Sequence, residues 1–297
     1  MNRILLPIIA FMLLTTACKT TENQPPAIPD SPAQTADVSA ETAEPTLAPS
    51  ANTPQTEGET IVKTDEQMTI DDLGFQTDTF TTASGKTVAF QCIKHGSLRI
   101  QYDGLEFQID PVEKLDGNDT DYAKFPKADY ILVTHEHYDH LDKDAIAKLA
   151  KDGTTIITNG NCAKQLGRGE ILANGDSKIL RDDIKIDAVP AYNTTPGHTK
   201  FHPKGRDNGF VLTLDGFRVY IAADTEDIPE MAAIKDIDVA FMPCNQPYTM
   251  TPAQLAKAAA VVAPKVLFPY HFSATPQDEM KSALKDLNLD LRIRNYQ

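Results

Sequence analysis

The sequence predicts a mixed α/β domain in which two β-sheets pack face to face with helices outside. Three observations lead there. Short apolar strand patterns alternate with helical ones from about residue 87 onward. The strands fall into two groups, and each group contains a hairpin signal, Asp103-Gly104 in the first and Asp215-Gly216 in the second. Residues 61–297 also have the length of one ordinary domain.

Three strands open this domain: Thr87 to Ile93, Ser97 to Tyr102, and Leu105 to Ile109, the last ended by Asp110-Pro111. The apolar run Tyr130 to Val133 is the next strand, followed by a helix over Lys143 to Lys151, a strand over Thr154 to Thr158 and a short helix over Cys162 to Leu166. Further strands are expected at Glu170 to Leu172, Ile184 to Pro190, Phe210 to Leu214 and Phe217 to Ala222. A helix over Ile228 to Ile234 then precedes the strand Val239 to Met242. Thr251 is a good N-cap for a helix over Pro252 to Val262, with proline in its first turn. The strand Val266 to Tyr270, a helix over Pro276 to Leu287 and a strand over Leu289 to Ile293 close the domain.

The chemistry is concentrated at Thr134-His135-Glu136-His137-Tyr138-Asp139-His140, directly after a buried strand. Side chains at i and i+2 of an extended segment point the same way, so His135 and His137 converge. The chain then turns, and Asp139 and His140 can aim at a second point nearby. Neutral imidazoles suit zinc or iron, and a carboxylate beside them reduces the positive charge that the site must hold. Two metals about 3.5–4 Å apart would share a hydroxide that is a strong nucleophile near neutral pH. Three of the seven histidines lie in this stretch beside an aspartate and a glutamate, which an ordinary solvated loop does not explain.

The H-x-H-x-D-H pattern resembles the metallo-β-lactamase superfamily. The opening strands, with His95-Gly96-Ser97 in the first turn and Asp110-Pro111 at the end, resemble its ascorbate-6-phosphate lactonase-like and N-acylphosphatidylethanolamine phospholipase D-like branches. The resemblance covers about residues 85–297 and implies a four-layer αβ/βα sandwich. It also implies further metal ligands. Asp224, after the apolar strand ending Ile221-Ala222-Ala223, matches the family's metal-bridging aspartate. His271, after Phe268-Pro269-Tyr270, matches its last histidine and would join Asp139 and His140 at the second metal. The remaining ligand should complete the site of His135 and His137. Asn193 stands where that histidine is expected, and an amide oxygen is a poor zinc ligand. His198 and His202 both follow, and His202 is preferred because His202-Pro203-Lys204-Gly205 with Asn208-Gly209-Phe210 resembles a subgroup in which that histidine fills the gap.

Asp139 would serve twice, as a ligand and as the carboxylate that orients the attacking water or takes its proton. His95, Tyr138, Asn193 and Asn245 are expected at the rim as substrate contacts.

The N-terminal third carries different information. Asn2-Arg3 followed by the apolar run Ile4 to Leu14 reads as a secretory signal, and Thr15-Thr16-Ala17-Cys18 resembles a bacterial lipoprotein cleavage box. Residues 1–18 would then be removed up to Cys18, which becomes the lipidated first residue of the mature chain. Lys19 lacks the acidic character of an inner-membrane retention signal, so the expected location is the cell envelope, at the periplasmic face of the outer membrane in a Gram-negative organism. Residues 19–60 are rich in Pro, Thr, Ala and Glu and poor in large apolar side chains, which predicts a disordered tether. Cys92, Cys162 and Cys244 remain; buried free thiols are the default, with one disulfide left open.

The formal net charge of -14 opposes binding to nucleic acid, and no basic stripe interleaved with aromatics appears. The sequence therefore points to a metal-dependent hydrolase, most readily with two zinc ions, that acts on a small-molecule ester, lactone or phosphodiester. Mn2+ or iron are the other metals such ligands accept. A redox member of the fold using iron is one competing reading, and a non-catalytic envelope binding protein is another. A purely structural zinc would be closed by protein ligands, whereas six or seven ligands around two metals leave positions for water.

Overall fold

The computed structural model of the chain describes residues 68–296. The expected signal segment, Cys18 and the tether lie outside these residues. The first half contributes β1 (Met68–Ile70), β2 (Gln76–Thr81), β3 (Thr87–Lys94), β4 (Ser97–Tyr102), β5 (Leu105–Ile109), the short strands β6 (Lys114–Leu115) and β7 (Asn118–Asp119), β8 (Tyr130–Val133), α1 (Lys143–Leu149), β9 (Thr155–Thr158), α2 (Gly160–Leu166) and β10 (Glu170–Ile171). The second half contributes β11 (Ser177–Arg181), β12 (Ile184–Ala191), β13 (Asp207–Leu214), β14 (Phe217–Ile221), β15 (Val239–Pro243), α3 (Pro252–Val262), β16 (Val266–Tyr270), α4 (Gln277–Leu284) and β17 (Asp290–Leu291).

One sheet has the order β1-β2-β3-β4-β5-β8-β9-β10 and the other runs from β11 to β17 in sequence order, while β6 and β7 pair by themselves. Both sheets begin antiparallel and end parallel. β5, β8, β9 and β10 are parallel neighbours in the first, and β14 to β17 are parallel in the second.

The period of two along each strand builds the layers. On β8, Leu132 joins the apolar core between the sheets while Ile131 and Val133 face α1 on the outside. On β15, Val239 and Phe241 face the same central core, and Ala240 and Met242 face α3. Three buried clusters thus lie between four layers, which is the αβ/βα sandwich. Among the described residues, no helix is long and apolar enough to cross a membrane. Cys92, Cys162 and Cys244 are all buried and free, so no disulfide links them.

Five strands were not predicted, the two-residue β6 and β7 among them, and each lacks the apolar alternation that would reveal it. β2 reads Gln-Thr-Asp-Thr-Phe-Thr, and its buried Asp78 is compensated by Arg292 and Arg294 from the far end of the chain, at 2.7 Å each. β1 is three residues long with two of them exposed. β11 lies at a sheet edge with no fully buried residue. The expected helix at Ile228 to Ile234 is a 3-10 turn over Pro229–Ala233, and the final strand shrinks to two residues.

Candidate metal centre

Parallel strands deliver their following loops to one edge of a sheet, and here both sheets deliver them to the same place. The loop after β8 carries His135 to His140. It turns within one step, with the His140 and Leu141 amides donating to the His137 carbonyl, and is then fixed by Asp142, whose carboxylate caps α1. Asp224 follows β14 and His271 follows β16. His202 comes from the long loop between β12 and β13, and His95 from the turn between β3 and β4.

These side chains form two groups of four. His135, His137, His202 and Asp224 offer donor atoms within 4.8 Å of one another, and so do His95, Asp139, His140 and His271. Asp224 stands between the groups. Its Oδ2 lies 3.3 Å from His202 Nε2 and 3.2 Å from His271 Nε2, while Oδ1 lies 3.3 Å from His140 Nε2. Asp139 Oδ2 is 3.3 Å from His95 Nε2 and 3.8 Å from His271 Nε2.

The donor set fits metal ions. His140 Nε2, Asp224 Oδ1 and both ring nitrogens of His271 are buried without a hydrogen bond. Orphaned polar atoms of this kind are costly unless something else satisfies them. Here they converge with neutral imidazoles and carboxylates, as divalent metals require.

Partners behind the rings select which nitrogen faces inward. Asp110 Oδ2 accepts from His140 Nδ1 at 2.8 Å, and Asp207 Oδ2 meets His202 Nδ1 at 2.9 Å. Thr134 Oγ1 lies 2.9 Å from His135 Nδ1. Each leaves Nε2 for the centre. His137 is reversed, with Nδ1 placed 3.1 Å from His135 Nε2 and Nε2 facing Arg206 at 3.4 Å. Asp110 is tied down in turn by the Thr134 amide at 2.7 Å and its hydroxyl at 2.6 Å.

The electrostatics favour added positive charge. Burial lowers the His140 pKa, but Asp224, Asp139 and Asp110 outweigh it and raise the group to about 10. His271 is raised to about 9 against the same burial penalty, by Asp224 and Asp139. Burial would push Asp139 up, yet His140, His271 and His95 hold it well below the usual carboxylate range. His135 moves the other way: burial first, then the neighbouring His140, keeps it neutral and therefore able to donate its lone pair.

Backbone conformation is unusual at the same place. His95, Asp110, Ala223 and His271 all have left-handed φ angles between 43° and 59°. Each costs about 1–3 kcal/mol outside glycine, so the surrounding structure must hold them. One such restraint is visible in the His271 amide, which donates to the His95 carbonyl at 3.1 Å. Gly96 follows His95 because any Cβ there would sit 2.6 Å from His140 Cε1.

The seven expected ligands, His135, His137, Asp139, His140, His202, Asp224 and His271, are thus brought together. His198 is not: its Nδ1 lies 3.3 Å from Glu226, away from both groups. His95 is nearer the centre than a rim contact, packing 3.6 Å between ring centroids from His271. Tyr138 and Asn245 line a cavity of about 680 Å³ that opens over both groups. Asn193 requires correction as a substrate contact. It is buried and outside the cavity lining, and its amide donates to the Tyr248 carbonyl at 2.7 Å, so it ties two loops together.

Sequence reasoning missed the residues behind the rings. Asp110 was read only as a strand end, and Asp207 not at all; the Asp-Pro pair and an acid before Asn208-Gly209 were the available signals. Glu226 was also missed. Fully buried, it accepts from the Thr194 and Thr195 amides and the Thr194 hydroxyl at 2.7–2.8 Å, which anchors the loop that carries His202.

Comparison with known proteins agrees with this geometry. Residues 89–271 match the beta-lactamase superfamily domain. A UPF0173 metal-dependent hydrolase of Ligilactobacillus salivarius is 34% identical over 194 residues, which cover 61% of this chain and 84% of the relative. One from Archaeoglobus fulgidus is 31% identical, over 56% of this chain and 78% of the relative. The crystal structure of a candidate metal-dependent hydrolase from Parabacteroides distasonis is 56% identical with a TM-score of 0.72, covering 75% of this chain and all of the other. A metallo hydrolase from Ignicoccus hospitalis, at 24% identity and a TM-score of 0.59, shares the fold. The donor groups, the four-layer sandwich and these relatives together show that the chain belongs to the metallo-β-lactamase superfamily and is one of its metal-dependent hydrolases.

Proposed function

We propose that this hydrolase works with two divalent metals, zinc foremost, and cleaves an ester, lactone or phosphodiester in a small molecule. His135, His137 and His202 would hold one metal, and Asp139, His140 and His271 the other, with Asp224 between them. The observation that carries the reading is the shared position of Asp224, within 3.3 Å of inward nitrogens from both groups. A nitrogen-rich set of this kind suits zinc better than the oxygen-rich sets typical of magnesium or manganese.

Bound metals would supply an acidified water and polarise the substrate oxygen. The remaining work falls to the chain. Of the two ligand carboxylates that line the cavity, Asp139 is the more exposed, at 18% against 2% for Asp224, so its Oδ2 can orient the water or take its proton. His95, 3.3 Å from that oxygen, keeps the carboxylate in place. Asn245 and the Tyr138 hydroxyl offer donors at the cavity wall.

The test is metal content by plasma mass spectrometry on the full chain, followed by assays on lactones and phosphodiesters. About two zincs per chain, and activity abolished in Asp139→Ala with the fold intact, support the reading. Less than one metal per chain would overturn it, and iron would favour redox chemistry.

We also propose that the domain is held in the cell envelope by lipid on Cys18, a reading supported by the apolar run before Thr15-Thr16-Ala17-Cys18. Incorporation of labelled fatty acid that disappears in Cys18→Ser would support it. Equal labelling of both proteins would refute it.

A further inference from the structure

The walls of the cavity, as distinct from its metal-binding floor, carry information about the substrate. Three aromatic side chains reach it from three different loops: Tyr138 after β8, Phe201 before β13 and Tyr248 after β15. Phe201 and Tyr248 pack edge to face, with centroids 5.0 Å apart. Tyr138 is 76% exposed and Tyr248 44% exposed, so both present ring surface to whatever enters. Exposed aromatics converging on a concave site with Leu115 form an apolar wall for a flat group.

Charge on the same walls is one-sided. Beyond Asp139 and Asp224, the lining includes the carboxylates of Asp116 and Glu136, and among the described residues no lysine or arginine lines this cavity. The nearby cations are already paired, and one of them, Arg206, lies 3.5 Å from Glu136 Oε1 and partly offsets it, so Asp116 is the main wall charge beyond the proposed ligands. Arg206 donates to both oxygens of Asp207 at 2.6 and 2.9 Å and to the Phe201 carbonyl at 2.7 Å. Lys200 lies over the Phe201 ring at 4.9 Å. A substrate whose distal end carried a phosphate or carboxylate would place that charge beside Asp116 without a basic partner, whereas sites built for anions supply arginine or lysine.

We infer that, beyond its scissile group, the substrate is flat, apolar and not anionic: an aryl-bearing ester or lactone whose distal end is neutral or cationic. This rests on the hydrolase reading above and narrows it. A cationic distal group gains from both features, since aromatic faces and carboxylates each attract it.

The experiment uses the metal-loaded full chain and a series of aryl esters with one leaving group. The acyl ring carries hydrogen, trimethylammonium or phosphate at its far end, and kcat/KM is measured for each. Binding of the matching substituted benzoates is measured by calorimetry. All three benzoates present the same carboxylate to the metals, so differences report the walls alone. The expected order is trimethylammonium, then hydrogen, then phosphate, with at least about a tenfold span that shrinks in Asp116→Asn and with added salt. Tyr138→Ala and Tyr248→Ala should each weaken all three by several-fold to about tenfold, chiefly through KM. Tyr248→Ala keeps the backbone carbonyl that Asn193 holds. A preference for the distal phosphate, or a span unmoved by Asp116→Asn, overturns the inference even if the esters are cleaved. Benzoate binding in the expected order without ester cleavage supports the inference about the walls and removes the ester and lactone part of the proposed function instead.

Discussion

Asp110→Asn is the substitution with the clearest consequence. Asp110 Oδ1 accepts the Thr134 amide, and Oδ2 accepts both the Thr134 hydroxyl and His140 Nδ1. An asparagine of the same shape can keep the first bond through its carbonyl. Its NH2 group then takes the place of Oδ2. Thr134 can accept from it by rotating its hydroxyl, but His140 Nδ1 can do so only by giving up its proton. The neutral imidazole must then carry its proton on Nε2, the atom that faces Asp224 and the proposed second metal. Loss of such an orienting partner typically weakens metal affinity 10- to 100-fold, equivalent to about 1.4–2.7 kcal/mol. The assay is chelator competition with metal content read at each point. One metal should dissociate at 10- to 100-fold lower chelator strength while the other holds, with the thermal midpoint of the chelated chain moving only a few degrees. Parent-like retention of both metals in a folded Asp110→Asn chain would refute the argument that Asp110 sets the tautomer of His140.

Other substitutions separate the remaining roles. His202→Ala should lower metal content from about two to about one, while His198→Ala leaves it unchanged, because only His202 points at Asp224. Gly96→Ala forces a Cβ into contact with His140 at 2.6 Å, and overpacking of this kind costs about 1–3 kcal/mol in a denaturant titration, together with weaker metal retention. Asp78→Ala removes the carboxylate that Arg292 and Arg294 share, while Arg292 keeps Asp290 at 2.8 Å, so a loss of about 1.5–3 kcal/mol is expected with metal stoichiometry unaltered.

How much of this was legible in the sequence follows from how each residue earns its place. The stretch His135 to His140 was readable because strand and turn geometry act over a few residues, and the central strands were readable because burial on both faces makes them continuous apolar runs. Asp224 and His271 needed the family pattern, since an acid or a histidine after a strand has many local explanations. β2 stayed hidden because its inward Asp78 is made tolerable only by arginines more than two hundred positions away. Asn193 was misassigned for a related reason. Its position in the chain matches a ligand, but the Tyr248 carbonyl that claims its amide belongs to another loop. Asp110, Asp207 and Glu226 share that character, as buried acids whose partners are set by folding rather than by spacing.

The position of the donors on both sheets has a mechanical consequence. His135, His137, Asp139 and His140 hang from one half of the sandwich, and His202, Asp224 and His271 from the other. A metal gripped from both sides acts as a rivet across the central seam, in a domain whose three cysteines form no covalent cross-link. An ion at a thousand times its dissociation constant adds about 4 kcal/mol to the folded state, roughly what a disulfide closing a long loop contributes. Resistance to unfolding should therefore climb with the logarithm of free zinc, and a strong chelator should let the two halves part at lower denaturant. The residues that equip this chain for hydrolysis would in that way also set how long it stays folded.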